Sequence, residues 1–267
     1  MTTPPRIAVF GLGEAGSLIA ADLAAAGADV HAFDPADVAT PTSVIRHPAP
    51  RDAVNGANAV LAITAARDAQ TAIAQAWDHI KRGALYADLS TAPASLKQDL
   101  ADTARLRGLL FADVALMGTV PGSGIATPVL VSGSGAELFA DLVNEHGGNA
   151  ETISDVAGDA ATRKLLRSVF MKGLTAALIE ALRGAEAAGQ DDWILHHLVG
   201  VVESADAALL TRLVTGTATH YKRRAEEMQH AATLLRQLGI DPLISEATVA
   251  SLESVATRGV PSLESPQ

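Results

Sequence analysis

The sequence predicts an α/β domain followed by an all-helical one. Three observations carry this expectation. Short apolar runs alternate with helical stretches through the first half, a glycine-rich turn joins the first run to the first helix, and from about residue 157 only the helical period persists. Arg6 to Phe10 is the first apolar run and leads into Gly11-Leu12-Gly13-Glu14-Ala15-Gly16. Leu18, Ile19, Ala21, Leu23 and Ala24 then recur at helical spacing until Gly27. Asp29 to Phe33, ending in Asp34-Pro35, completes a β-α-β unit. Ala59 to Ile63, Ala84 to Asp88, Leu109 to Asp113 and Pro128 to Val131 read as further strands, with helices expected from about Arg67 to Asp78 and near Pro93 to Arg107. Strands that alternate with helices pair in parallel, so these elements predict a Rossmann-type, doubly wound, mostly parallel sheet, followed by an all-α C-terminal domain.

The period changes near residue 156, which divides the chain into a dinucleotide-binding domain over 1–156 and a helical substrate and dimerisation domain over 157–267. Leu165, Leu166, Val169, Leu174, Ala177, Leu178 and Leu182 fit one helical face. Helices are expected from about Ala160 to Ala188, Asp192 to Leu213, Gly216 to Leu238 and Ser245 to Ala256, with Gly189 and Gly239 as stops and a loose tail from Pro261.

Composition narrows the function classes. The formal charge of −10, from 20 basic against 30 acidic residues, repels polyanions, and the longest basic run is only Lys222-Arg223-Arg224, so nucleic acid is not an expected partner. With no cysteine there is no disulfide, thiolate metal site or catalytic thiol, and none of the eight histidines shows His-x-x-x-His spacing, so no metal is expected. No apolar run approaches the roughly 20 residues that span a bilayer, and no basic-then-apolar leader opens the chain. A cytoplasmic protein without membrane partners is the expectation.

Gly11-x-Gly13-x-x-Gly16 carries the first chemistry. Gly11 permits the tight turn, Gly13 lets the backbone approach a pyrophosphate, and Gly16 lets the helix pack on the strand, with Leu12, Glu14 and Ala15 completing the loop. The helix N-terminus then offers N–H groups and a partial positive charge to the anion. Eighteen residues beyond Gly16, Asp34 ends the second strand where it can accept hydrogen bonds from ribose hydroxyls. A carboxylate there repels a 2′-phosphate, which favours NAD over NADP, although Arg46 or Arg51 could offset it. Thr64, just past the third expected strand, joins the cofactor set.

With these residues in place the chain resembles the β-hydroxyacid dehydrogenase family, which includes 3-hydroxyisobutyrate and 6-phosphogluconate dehydrogenases. Asp88-Leu89-Ser90-Thr91 looks like that family's loop beside the nicotinamide, implying cofactor roles for Ser90 and Thr91. Asp113-Val114-Ala115-Leu116-Met117-Gly118-Thr119 stands in the place of its D-x-P-V-S-G-G substrate segment, and Gly158 to Lys164 resembles its G-x-G-x-x-x-K catalytic motif. Met117 replaces the family's substrate-contacting serine, Ala160 its second motif glycine, and Ser168 the asparagine four residues after the lysine. His220-x-x-Arg223-Arg224-x-x-Glu227-Met228 is closer to a branch of 6-phosphogluconate dehydrogenase-like proteins.

The resemblance implies Lys164 as proton donor and acceptor. Hydride delivery to a carbonyl leaves an alkoxide that must be protonated, and a lysine can do this when neighbouring positive charge and partial burial lower its pKa. At about 100° per residue, Lys164, Ser168 and Lys172 step round one helix face, with Arg167 close on its other side. Ser168 is expected to orient the lysine, and Arg167 or Lys172 to anchor a substrate carboxylate or phosphate. Met117, Gly118, Thr119 and His220 complete the substrate set, the Met117 thioether implying a more apolar pocket. The expected function is NAD(P)-dependent hydride transfer on a small acidic hydroxy compound by a homodimer. Alternatives are an imine reductase, which the lysine disfavours because those relatives place Asp or Tyr there, and a non-catalytic NAD(P)-binding protein.

Overall fold

The structure, a computed structural model, describes residues 4–263 apart from 66–70, 72 and 75. Its backbone divides into two compact units, Met1–Arg167 and Ser168–Gln267.

The first unit is built on one eight-stranded sheet. In chain order its elements are β1 (Arg6–Phe10), α1 (Glu14–Ala25), β2 (Asp29–Phe33), β3 (Ile45–Arg46), α2 (Pro50–Val54), β4 (Ala59–Ala62), β5 (Leu85–Asp88), α3 (Ala94–Leu106), β6 (Leu110–Leu116), β7 (Pro128–Ser132), α4 (Ala136–Glu145) and β8 (Asn149–Ser154). The strands lie in the order β3-β2-β1-β4-β5-β6-β7-β8, all pairs parallel except β6 with β7. This is the Rossmann-type, doubly wound sheet that the sequence predicts, followed by a helical C-terminal region. The helix expected from Arg67 to Asp78 lies largely outside the described residues; at its end Trp77–His79 forms a 3₁₀ turn.

The central strands β1, β2, β4, β5 and β6 are buried on both faces, which is why they read as continuous apolar runs. Two clusters result. Ile7, Val9, Leu23, Leu61, Val114 and Phe139 belong to one, and Phe10, Ile73, Trp77, Tyr86, Leu100 and Phe111 to the other. Burying each large side chain contributes roughly 1.5–3 kcal/mol before ordering costs. The sequence pattern does not mark β3, α2, α4 or β8. β8 is an exposed edge strand of sequence Asn-Ala-Glu-Thr-Ile-Ser, with neither an apolar run nor clean alternation to mark it.

The helices that follow are α5 (Asp159–Ala187), α6 (Asp191–Glu203), α7 (Ala207–Gln237) and α8 (Leu243–Arg258), and the division between units falls inside α5. Gly189 (φ 66°) and Gly239 (φ 78°) follow helix ends as expected. The break expected between Leu213 and Gly216 lies earlier, at residues 204–206. Asp206 caps α7 there by accepting the Leu209 N–H at 2.8 Å. The helix continues through Gly216, and the Arg224 guanidinium reaches back to the Leu213 carbonyl (3.0 Å) and the Thr217 hydroxyl across a kink at His220 (φ −116°, ψ 17°). In the second unit α7 packs along α8, and the buried Glu180 carboxylate accepts the N–H groups of Ile244 (2.7 Å) and Ser245 (2.9 Å) and the Ser245 hydroxyl (2.6 Å). These bonds hold its carboxyl below the ordinary glutamate range although burial alone would raise it.

Candidate active site

Strand order places the candidate residues along one edge of the first unit. β2, β1, β4 and β5 are consecutive neighbours, so Asp34, the Gly11–Gly16 turn, Thr64 and Ser90-Thr91 follow the C-terminal ends of adjacent strands. At about 4.8 Å per strand this row spans ~14 Å, and the reversal of strand order between β1 and β4 opens the crevice where α/β sheets bind ligands.

Gly11 has φ 93°, and a Cβ on it would strike the Ile63 carbonyl oxygen; a Cβ on Gly16 would strike the Gly11 carbonyl. Both glycines are required by the turn itself. Gly13 differs, since a Cβ there would meet nothing within 4 Å and its φ of −64° suits any residue. The fold leaves that position open toward a ligand. No side chain caps α1, so its first-turn N–H groups remain for an anion. Asp34 accepts the Leu12 N–H (2.7 Å) and the Ala36 N–H (2.8 Å), which ties the acid to the glycine turn. Arg46 stands beside this acid, donating to the carbonyls of Val38 (2.5 Å), Asp34 (3.0 Å) and Ala36 (2.5 Å). Gly11, Gly13, Asp34 and Thr64 line a cleft of about 510 Å³, a size suited to a cofactor. The Thr64 hydroxyl is buried and has no hydrogen-bond partner among the described residues. An orphaned hydroxyl, a bare helix N-terminus and a placed carboxylate are the donor set that a dinucleotide satisfies.

Beyond β5, a small crevice is lined by Ser90, Thr91, Asp113, Ala161 and Lys164. The structure thus brings the lysine of the G-x-x-x-x-x-K segment beside the loop that follows β5. Ser90 is buried, its N–H (3.1 Å) and hydroxyl (3.0 Å) both donated to the Asp88 carboxylate, and Thr91 is exposed. Met117 is half-buried and Gly118 and Thr119 are exposed in the loop after β6. That loop is tied down by Thr127, whose hydroxyl donates to the Gly124 carbonyl (2.8 Å), and by Asp22, which accepts the Ile125 N–H (2.8 Å). Arg167 ends the first unit with its side chain exposed. Ser168, Lys172 and His220 belong to the second unit; Ser168 is half-buried, Lys172 is exposed, and exposed His220 marks the kink in α7. Arg223 forms an exposed pair with Glu227 at 2.6 Å.

Sequence reasoning missed Lys97. Its ammonium is buried and lies 3.1 Å from the Asp88 carboxylate, 3.2 Å from that of Asp113, and 2.8 Å from the Asp88 carbonyl, to which it donates. The available signal was a lysine in the apolar stripe Lys97, Leu100, Ala104 of α3.

What this edge of the first unit presents is an NAD(P)-binding domain. The chain belongs to the family of the NAD binding domain of 6-phosphogluconate dehydrogenase, whose pattern matches residues 6–153. A domain of unknown function, DUF1932, matches residues 185–255. An uncharacterized 28.5 kDa protein in the 7S RNA 5′ region of Methanothermus fervidus is 27% identical over 138 residues, 52% of this chain. The chain spans about half (53%) of the length of that curated relative. Among solved structures, a conserved hypothetical protein from Sinorhizobium meliloti is similar at 27% identity and a TM-score of 0.62, over 95% of this chain and 89% of that one. An imine reductase from Myxococcus stipitatus in complex with NADP+ shares the fold at 20% identity and a TM-score of 0.78, over 96% and 95% of the two chains, and a variant of it was solved with NAD+.

Proposed function

We propose that the chain is an NAD(P)-dependent dehydrogenase or reductase acting on the carbonyl or hydroxyl carbon of a small acidic hydroxy compound, with Lys164 as general acid and base. The observation that carries this reading is the shared crevice of Lys164, Ser90 and Thr91 at the end of β5, in the row that begins with Asp34 and the glycine turn. The nicotinamide would supply or accept the hydride. The chain's part is to grip the pyrophosphate at Gly11–Gly16, hold the ribose at Asp34, and deliver a proton from the Lys164 amine to the oxygen that becomes the alcohol, or remove it in reverse. Thr91 and Thr64 present hydroxyls to the cofactor, Ser90, whose proton goes to Asp88, offers its hydroxyl oxygen as an acceptor, and Met117, Gly118 and Thr119 shape the substrate end. To Ser168 we assign the orientation of the lysine, and to Arg167, Lys172 and His220 the recognition of an acidic substrate group.

NAD is the preferred form in this reading. The Asp34 carboxylate disfavours a 2′-phosphate. The domain boundary near residue 156, a homodimer and a cytoplasmic setting complete the proposal. Within the second unit Val169 (74% exposed), Val202 (67%) and Trp193 (61%) leave large apolar surfaces that a second copy would cover. Among the described residues no helix is long and apolar enough to cross a membrane.

Fluorescence titration with NADH and NADPH, followed by a screen of hydroxy acids, ketones and cyclic imines at the reduced-nicotinamide absorbance band, tests the reading. Tighter NADH binding and turnover of a hydroxy acid are expected. Turnover of cyclic imines alone would favour the imine reductase alternative, and cofactor binding without any turnover the non-catalytic one.

A further inference from the structure

Asp88 and Asp113 are register partners on the adjacent parallel strands β5 and β6, and Ser132 of β7 is the register partner of Asp113. All three are buried, so two like charges stand side by side out of water, an arrangement that is destabilising unless compensated. The compensation comes from two directions. Lys97, on α3, bridges the two carboxylates. The start of α5 supplies the rest: Asp113 Oδ2 accepts the N–H groups of Gly158 (3.1 Å) and Ala161 (3.0 Å), while the Ser132 hydroxyl donates to Asp113 (3.3 Å) and accepts the Ala160 N–H (3.1 Å).

The placement of this cluster gives it a consequence for the site. Asp88 also holds both the N–H and the hydroxyl of Ser90, and Ala161 lies one helical turn before Lys164. One buried cluster therefore ties the loop after β5 to the helix that bears the lysine. Asp113 stands in the sequence segment compared above with a substrate-binding motif, yet it is fully buried and accepts hydrogen bonds from Gly158, Ala161 and Ser132.

We infer that Lys97, Asp88 and Asp113 form a positioning triad that locks the Ser90-Thr91 loop, α3 and the first turn of α5 into one geometry, setting where Lys164 stands relative to the cofactor loop. Its link to catalysis rests on the functional reading above; the lock itself does not. A 1 Å misplacement of a reacting group can cost about 100-fold in rate, so a rigid internal tie has a function here beyond stability.

The test uses the full chain, whose lack of cysteine lets introduced thiols be labelled alone. Spin labels at Ser95→Cys and Arg163→Cys, both exposed positions to which no role in the site is assigned, report the spacing of α3 and α5. Lys97→Met combined with Asp88→Asn removes the bridge while keeping the net charge of the cluster. The expected result is a folded protein that binds NADH within about threefold of the parent, with the label-to-label distance distribution at least about twice as broad. The protection of Lys164 from amine labelling by bound NADH should also be largely lost. Asp113→Asn, which retains an acceptor for the helix N–H groups, gives a second reading should the double variant not fold. An unchanged distance distribution together with undiminished protection of Lys164, in either variant, would overturn the inference. If NADH fails to protect Lys164 in the parent protein, the functional reading falls instead, and the distance widths still decide the triad.

Discussion

Asp113 in the first unit and Glu180 in the second both accept hydrogen bonds from the first N–H groups of a helix, but only Asp113 shares its surroundings with a second carboxylate and a lysine. Two backbone N–H groups and one hydroxyl satisfy Glu180, with no cation paired to it among the described residues. At Asp113 those same kinds of partner do not suffice, because Asp88 stands beside it in register. A single buried carboxylate can thus be held by a helix end alone, whereas a pair brings in a cation and couples three segments of chain. The first arrangement caps a helix; the second organises a site.

The largest expected effect separates these cases. Lys97→Met leaves two buried carboxylates facing each other and should cost on the order of 3–5 kcal/mol in urea unfolding, whereas Glu180→Ala, which strands only the N–H groups of α8, should cost about 1–3 kcal/mol. Equal losses would mean that the pairing of Asp88 with Asp113 carries no special penalty. A pH series sharpens the comparison. The folded pKa of Glu180 lies below its unfolded value, so its contribution is full above the ordinary glutamate value near 4.5 and is lost as pH falls through the lower folded value. Glu180→Gln should flatten that acid-side decline in the melting temperature, and an unchanged decline would show that other groups cause it. The smallest stability change is expected at Gly13→Ala, within about 1 kcal/mol of the parent because the new methyl meets open space. Its NADH affinity should nevertheless fall by about tenfold or more. Gly16→Ala, which collides with the Gly11 carbonyl, should lose both stability and affinity.

The difference between the two kinds of site also explains what the sequence made legible. The glycine turn and Asp34 are local features, set by spacing along one β-α-β unit, and the structure puts them along one edge of the sheet. The apolar runs of β1, β4 and β5 were readable because strands buried on both faces carry little else. β8 and the 204–206 break were not: one is a polar edge strand, and the other depends on an aspartate cap, ahead of the break expected between Leu213 and Gly216. The triad was hidden for a different reason. Asp88 and Asp113 each look like an ordinary acid after an apolar run, and only the β5–β6 register brings them together. Lys164 was visible through resemblance, while the cluster beneath its helix required the register between successive strands.

The claim on which the account turns is that Lys164 moves a proton at the reacting oxygen, and Lys164→Ala tests it most directly. With a substrate drawn from the hydroxy-acid screen, kcat should fall by about 100-fold or more while NADH affinity stays near that of the parent. A variant that binds NADH normally and turns over at the parent rate would contradict it.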